Sequence, residues 1–203
     1  MSSYYLCMTM DNTKWKENII LADADLMDKV AFDLTVNFER MLERRIPQAD
    51  LATWIECAAM DGGLRDGKHE TQAVFMHNSG TTEMTNFTPG KFSDIDGHAF
   101  SGRLGEILMS CVGVEPMVTK EQLMAEAVQT IAADSGVKRI VIVADTEETA
   151  DSLRSVLSRT DTDKRITLLT MQPTAMANCQ QQMLGYSLMA AMGIRSEEIS
   201  KKL

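Results

Sequence analysis

Short apolar runs alternate with longer amphipathic segments along this chain. The first run begins at Asn18 and ends in acidic residues, and the later runs have the same length and content as a buried strand. The runs predicted as further strands are 72–77, 104–114, 139–144 and 165–171. Apolar residues that recur every three or four positions predict helices at 26–45, 48–60, 120–134, 147–158 and 178–193.

Strands that alternate with helices are typical of an α/β domain with a mostly parallel sheet. We therefore predict a three-layer α/β/α sandwich of the doubly wound, Rossmann-like kind. The pattern predicts a single domain over residues 18–194. Residues 1–17 are predicted to be a disordered tail, and residues 195–203 a charged C-terminal tail. The Gly-, Thr-, Asn- and Ser-rich segment 78–97 is predicted as a long loop, functional or mobile.

Two of the predicted strands stop at carboxylates. Asp23 and Asp25 follow the first run, and Asp145 and Glu147 follow the strand 139–144. Ligands bind outside the carboxyl ends of parallel strands, so both groups are expected to face one crevice. Carboxylate oxygens are the ligands that Mg²⁺ and Mn²⁺ prefer, and this pattern predicts a divalent metal site.

A structural role for the same acids stays open beside the metal site. Aspartate after a strand often caps the next helix, and acids in a first helical turn interact favourably with the helix dipole. Asp145 with Glu147 fits that description, and Asp25 and Asp28 fit a cap followed by a solvated first-turn residue. Asp23 is harder to explain in this way, because it comes directly after a fully apolar run.

Composition excludes some partners. The 203 residues carry a formal net charge of −9, which disfavours a uniformly basic surface for nucleic acid. The densest basic group is Arg40, Arg44 and Arg45, a candidate phosphate contact. Four scattered cysteines indicate a reducing cytoplasm, and no apolar run reaches the roughly 20 residues of a membrane span.

No complete catalytic motif is present in the sequence. The three histidines lack zinc-binding spacing, and no Walker loop or G-x-G-x-x-G follows a predicted strand. The last predicted helix is rich in methionine, with Met183, Met189 and Met192 on more than one face. Docking on the sheet explains this helix, and so does a homodimer interface.

The segment Ile20–Asp25, followed by two predicted helices, resembles the start of PIN-like and NYN-type nuclease domains. The segment Val141–Glu147 resembles their later strand that ends in acids. This resemblance implies a PIN/NYN-like fold, with Asp23, Asp145 and Glu147 as metal ligands and Asp23 and Asp145 as catalytic residues. Glu126 is the counterpart of the middle acid of that family.

Two longer blocks, Phe32–Leu42 and Leu184–Arg195, resemble those of an uncharacterised family of bacterial cytosolic proteins. That resemblance implies no activity. Two functional hypotheses therefore come from the sequence. The first is hydrolysis of RNA or another phosphodiester, assisted by Mg²⁺ or Mn²⁺. The second is a non-catalytic binding or scaffold protein on the same fold.

Overall fold

A computed structural model of the chain describes residues 14–160 and 163–202, without the side chains of residues 146–148 and 150. The strands are β1 (Asn18–Asp23), β2 (Ala49–Asp50), β3 (His69–Asn78), β4 (Phe87–Thr88), β5 (Ala99–Gly102), β6 (Gly105–Val114), β7 (Arg139–Val143), β8 (Arg165–Thr170) and β9 (Gln180–Met183). The helices are α1 (Ala24–Leu42), α2 (Leu51–Asp61), α3 (Phe92–Ile95), α4 (Lys120–Ala133), α5 (Thr146–Arg159), α6 (Leu184–Ala191) and α7 (Ser196–Ser200).

Seven of these strands form one sheet in the order β5-β6-β3-β1-β7-β8-β9. All neighbours are parallel except β5 and β6, which are antiparallel. β1 is central, and its Ala22 is in register with Phe75 of β3 and Val143 of β7. The chain builds outward from β1 through β3 and β6, and then returns to add β7, β8 and β9 on the other side. The direction of winding therefore reverses between β1 and β7.

The two faces of the sheet support separate hydrophobic clusters. Successive side chains of a strand point to opposite faces, and Ile20 and Ala22 belong to one cluster while Ile19 and Leu21 belong to the other. The first cluster contains buried residues of α1, α2 and α6, and the second contains those of α4 and α5. The prediction of an α/β fold with a mostly parallel sheet is confirmed.

The predicted helix 178–193 is wrong over its first part. Residues Gln180–Met183 form β9, which pairs with β8, and helix α6 begins only at Leu184. β9 is an edge strand. Its half-exposed, glutamine-rich sequence has no alternation of apolar and polar residues from which a strand could be predicted. The predicted loop 78–97 contains β4 and α3, with Met84 and Phe87 buried in the core.

Both ends of the described chain are attached to the domain. Trp15 packs against the cluster of α4 and α5. At the other end, the Arg44 side chain donates to both carboxylate oxygens of Glu198, at 2.9 Å each, and so attaches α7 to the end of α1. Residues 1–13 of the predicted N-terminal tail lie outside the described residues.

Candidate functional site

The acid at the end of the central strand, Asp23, caps the helix that follows. Asp23 has extended backbone angles, and its Oδ1 accepts a hydrogen bond from the Leu26 N–H at 3.0 Å. An aspartate in this place satisfies one of the free N–H groups at the start of α1. The cap was expected at Asp25, so this prediction is wrong by two residues. Asp23 is only 6% exposed.

A lysine from another element lies between the two acids that follow β1. Lys120 is the first residue of α4, and its Nζ lies 2.7 Å from Asp23 Oδ1 and 2.8 Å from Asp25 Oδ2. The side chains of all three residues are largely buried. We call Asp23, Asp25 and Lys120 the carboxylate–lysine cluster. In it, the ammonium group of Lys120 forms ion pairs with two carboxylates that were predicted to face a metal.

Lys120 was not predicted as a site residue from the sequence. It is the first residue of the predicted helix 120–134, and Thr119 before it is the N-cap of α4. One feature of the sequence could have indicated that Lys120 has a partner. A cation in the first turn of a helix is on the unfavourable end of the helix dipole. Such a lysine is expected to have a carboxylate partner from elsewhere in the fold.

Burial and charge act in opposite directions on the pKa values of this cluster. Burial raises the pKa of Asp23, against the hydrogen bonds from Lys120 and Leu26. Burial also opposes ionisation of Asp25, but hydrogen bonds from Lys120, the Asn78 N–H and Thr81 outweigh it and lower the Asp25 pKa. Burial alone would lower the pKa of Lys120, whereas its two carboxylate partners raise it.

Acids of the first turns of α1 hold the segment after β3 in place. Asp25 accepts hydrogen bonds from the Asn78 N–H at 2.9 Å and from Thr81 Oγ1 at 3.0 Å. Asp28 accepts from the Asn86 N–H at 2.7 Å and from Thr85 Oγ1 at 3.1 Å. The solvated role that was predicted for Asp28 is therefore wrong. These bonds fasten part of the predicted loop 78–97 to the helix.

The second predicted acid, Asp145, belongs to the segment after β7, the strand that pairs with β1. It follows β7 by two residues, and its main-chain carbonyl accepts hydrogen bonds from the N–H and the hydroxyl of Thr149. The residue lines a crevice that α1 borders. Asp23 instead contacts the first residue of α4, whose buried residues pack on the opposite face of the sheet. The side chain of Glu147 lies outside the described residues.

The crevice beside Asp145 has a volume of about 340 Å³ and lies at the carboxyl ends of β7 and β8. One wall of the crevice is formed by residues of α1 at helical spacing. The opposite wall is formed by the segments that end or follow β7 and β8. The lining residues are Leu26, Lys29, Val30, Asp33, Leu34, Asn37, Ala144, Asp145, Thr170, Met171 and Gln172. The crevice thus has both apolar and polar lining residues.

The three arginines do not form one phosphate-binding group. Arg44 donates to Glu198 and to the carbonyl oxygens of Arg45 and Gly193. Arg45 is almost fully exposed, with its Nη1 3.9 Å from Glu39 Oε1. Arg40 is exposed on the outer surface of α1. Arg44 therefore has a structural contact, while Arg40 and Arg45 are available to a partner.

The remaining residues that could bind a metal or act as nucleophiles are placed in structural and not in reactive surroundings. Within residues 14–160 and 163–202, apart from the undescribed side chains, no three His, Cys, Asp or Glu residues are grouped to hold a metal ion. Burial raises the pKa of the Cys111 thiol to about 12, which leaves it protonated and weakly nucleophilic. The His77 ring stacks on Phe92, with ring centroids 3.9 Å apart. In the same part of the chain, the helices are too short or too polar to cross a bilayer.

Glu126, which the resemblance to PIN-like domains predicted as a middle acid, lies on α4. Its Oε2 is buried, and no hydrogen-bond partner for it is found among the described residues. The carboxylate–lysine cluster involves the first residue of the same helix, six positions earlier. Glu126 takes no part in that cluster.

Comparison with known proteins identifies a family and no activity. Residues 12–199 match the sequence model of a family described as "Family of unknown function (DUF6621)". No curated protein and no solved structure matches the chain. The match covers nearly the whole chain, including every element around the cluster and the crevice. This chain is therefore a member of the DUF6621 family.

Proposed function

We propose that this protein is a non-catalytic binding protein that holds a small ligand in the crevice between α1 and the ends of β7 and β8. One observation carries the proposal. The acids after β1 already share a lysine, while the crevice beside Asp145 is open and has a mixed polar and apolar lining. Binding sites for small molecules typically combine an apolar surface with a few polar groups.

The strand order supports this position for the ligand. When the parallel strands are numbered along the chain, their order in the sheet is 3-2-1-4-5-6. This is the order of doubly wound domains, in which helices cover both faces and ligands bind where the winding reverses. In this chain the reversal lies between β1 and β7. The crevice adjoins it through Asp145 and the buried Ala144.

The charges of the crevice indicate what kind of ligand it binds. Asp33 and Asp145 oppose a single cation, Lys29, in a protein of net charge −9. The start of α1 is also occupied, because Asp23 caps it. A phosphate at that helix end would meet acids instead of free N–H groups. We infer that the ligand is neutral or cationic, with an apolar part that contacts Leu34.

A thermal-shift screen tests the proposal. The probes are matched pairs of compounds. One pair, adenosine and adenosine monophosphate, differs only in a phosphate group. The other pairs each consist of a simple alkyl amine and the corresponding alkyl carboxylate. We expect stabilisation by a neutral or cationic member only. Asn37→Trp, which fills the crevice, should abolish the shift, whereas Ser93→Trp on the exposed surface of α3 should leave it unchanged. Equal shifts in both variants would contradict the site.

Metal-assisted phosphodiester hydrolysis is the second candidate function. Its supporting observation is the register of β1 and β7, in which Ala22 and Val143 are neighbours, so that Asp23 and Asp145 follow adjacent strands. With Glu147 they would hold Mg²⁺ or Mn²⁺, which would activate a water. Arg40 and Arg45 would contact the phosphates of RNA.

A calorimetric Mn²⁺ titration separates the two candidates. If Asp23 and Asp145 share a metal, the parent should show saturable binding that Asp23→Asn/Asp145→Asn abolishes. Lys120→Met should then strengthen binding, because it removes a cation that competes for Asp23. Absence of binding in the parent and in Lys120→Met would reject the metal site. RNA cleavage by the parent, lost in the double variant, would reject a purely binding role.

A further inference from the structure

The outer surface of α1 carries two large apolar side chains. Phe32 and Val36 are one helical turn apart and are 54% and 41% exposed. The opposite side of the helix is buried in the core through Met27 and Ala31. The exposed pair therefore lies at the centre of the solvent-facing stripe of a helix that runs for 19 residues.

Charged side chains are arranged around this pair in a regular way. Lys29 and Asp33 lie in the first half of the helix, Arg40 lies near its end, and Glu43 is the C-cap residue that follows it. Lys29, Asp33 and Arg40 are exposed, and Glu43 has an exposed ion pair with Lys202. The four formal charges cancel, although the chain as a whole has a net charge of −9. We call these four residues with Phe32 and Val36 the α1 stripe.

We propose that two copies of this chain associate through their α1 stripes, with the helices antiparallel about a two-fold axis beside Val36. A helix rises about 1.5 Å per residue, so Lys29 and Glu43 lie at equal distances of about 10 Å on either side of Val36. Lys29 then faces Glu43 of the partner subunit. Asp33 lies close to Arg40 of the partner subunit, and Val36 meets its own copy.

The charge pattern selects a second copy in this orientation. A two-fold interface must be complementary to itself, because the same surface occurs on both sides. In the antiparallel arrangement, both charged pairs join opposite charges. A parallel arrangement would place Lys29 beside Lys29 of the partner subunit and Glu43 beside its own copy. Phe32 adds apolar area next to Val36 of the partner subunit.

The size of the stripe sets the expected strength of the dimer. A single helical stripe buries less area than the standard interface of about 800 Å² per partner. We therefore expect a weak dimer in reversible equilibrium with the monomer. Raising the salt concentration should weaken it further, because the charged pairs are at the surface.

Sedimentation velocity at increasing protein concentration tests the proposal. We expect a monomer–dimer equilibrium for the parent and a dissociation constant at least about tenfold higher for Val36→Glu, which places two carboxylates at the two-fold axis. Tyr186→Glu, on the exposed surface of α6, is the matched control and should leave the equilibrium unchanged. Val36 is exposed, and circular dichroism with thermal unfolding should show that the variant remains folded.

Charge reversal tests the orientation. Lys29→Glu should weaken the dimer, and Lys29→Glu/Glu43→Lys should restore it, since the two positions face each other between copies. A parent that stays monomeric at every concentration would overturn the proposal. A dimer that survives Val36→Glu, or that only Tyr186→Glu disrupts, would overturn it as well. The last result would assign the interface to helix α6.

Discussion

The ammonium group of Lys120 lies 2.7 Å from the carboxylate of Asp23, although the two residues are 97 positions apart in the chain. This contact joins the end of the central strand β1 to the start of α4. Asp25, 2.8 Å from the same ammonium group, extends the connection to the segment after β3. One lysine thus connects the end of β1 with the start of α4 and, through Asp25, with the segment after β3.

Replacing Lys120 with methionine should destabilise the protein. The substitution leaves Asp23 as a buried carboxylate without its cation, and removing one partner of a buried ion pair costs about 3 kcal/mol or more. Urea unfolding followed by circular dichroism measures the effect. Lys138→Met is the control, since the Lys138–Glu17 pair is largely exposed and should contribute less than about 1 kcal/mol. Equal losses in both variants would contradict a special role for Lys120.

The contribution of Lys120 should disappear at alkaline pH. Its pKa is raised in the folded protein above the ordinary value of 10.5, so its stabilising effect is complete below that pH. The effect is lost as the pH rises through the folded-state pKa. We expect the difference in unfolding free energy between the parent and Lys120→Met to shrink above pH 10.5. A difference that stays constant through this range would show that the lysine acts by packing alone.

Asp25 should contribute to loss of stability at acid pH. Its pKa is lowered in the folded state, so its contribution is present above the ordinary value of 3.8 and is lost as the pH falls through the folded-state value. Asp23 acts in the opposite sense, because burial raises its pKa. Acid unfolding of Asp25→Asn should therefore depend less on pH than that of the parent. A variant with the pH dependence of the parent would contradict this assignment.

Gly105 should not tolerate a side chain. It has a φ of +102°, and a Cβ atom added there would lie 2.2 Å from the carbonyl oxygen of His69 on the neighbouring strand. Gly105→Ala should lower the free energy of unfolding by about 2 kcal/mol or more through backbone strain and this contact. Gly80→Ala is the control, because a Cβ atom at Gly80 meets nothing within 4 Å. Similar stabilities of the two variants in urea unfolding would refute the expectation.

Arg44 should protect the C-terminal helix. Its two bonds to Glu198 connect α7 to the end of α1, and both side chains are at the surface. Arg44→Met should speed amide hydrogen exchange of residues 196–200 while leaving exchange in β1 unchanged. Arg45→Met, which loses only a 3.9 Å contact with Glu39, should have little effect. Faster exchange throughout the domain would point to a global effect instead.

Local sequence determined most of the elements and the fold class. Apolar runs predicted β1, β3, β6, β7 and β8, because buried parallel strands need apolar side chains on both faces. Helical spacing likewise predicted α1, α2, α4 and α5. The strands that were missed, β2, β4, β5 and β9, are only two or four residues long. Their formation depends on a partner strand and not on their own pattern.

The carboxyl edge shows what only the tertiary structure decided. The sequence placed Asp23 and Asp145 after strands, and adjacent strands do bring them to the same edge. It could not show that Lys120 lies beside Asp23, because the residue that neutralises a buried acid is chosen by the packing of α4 against the sheet. Periodicity describes neighbours along the chain, whereas this ion pair is a contact between elements that meet only after the sheet has formed.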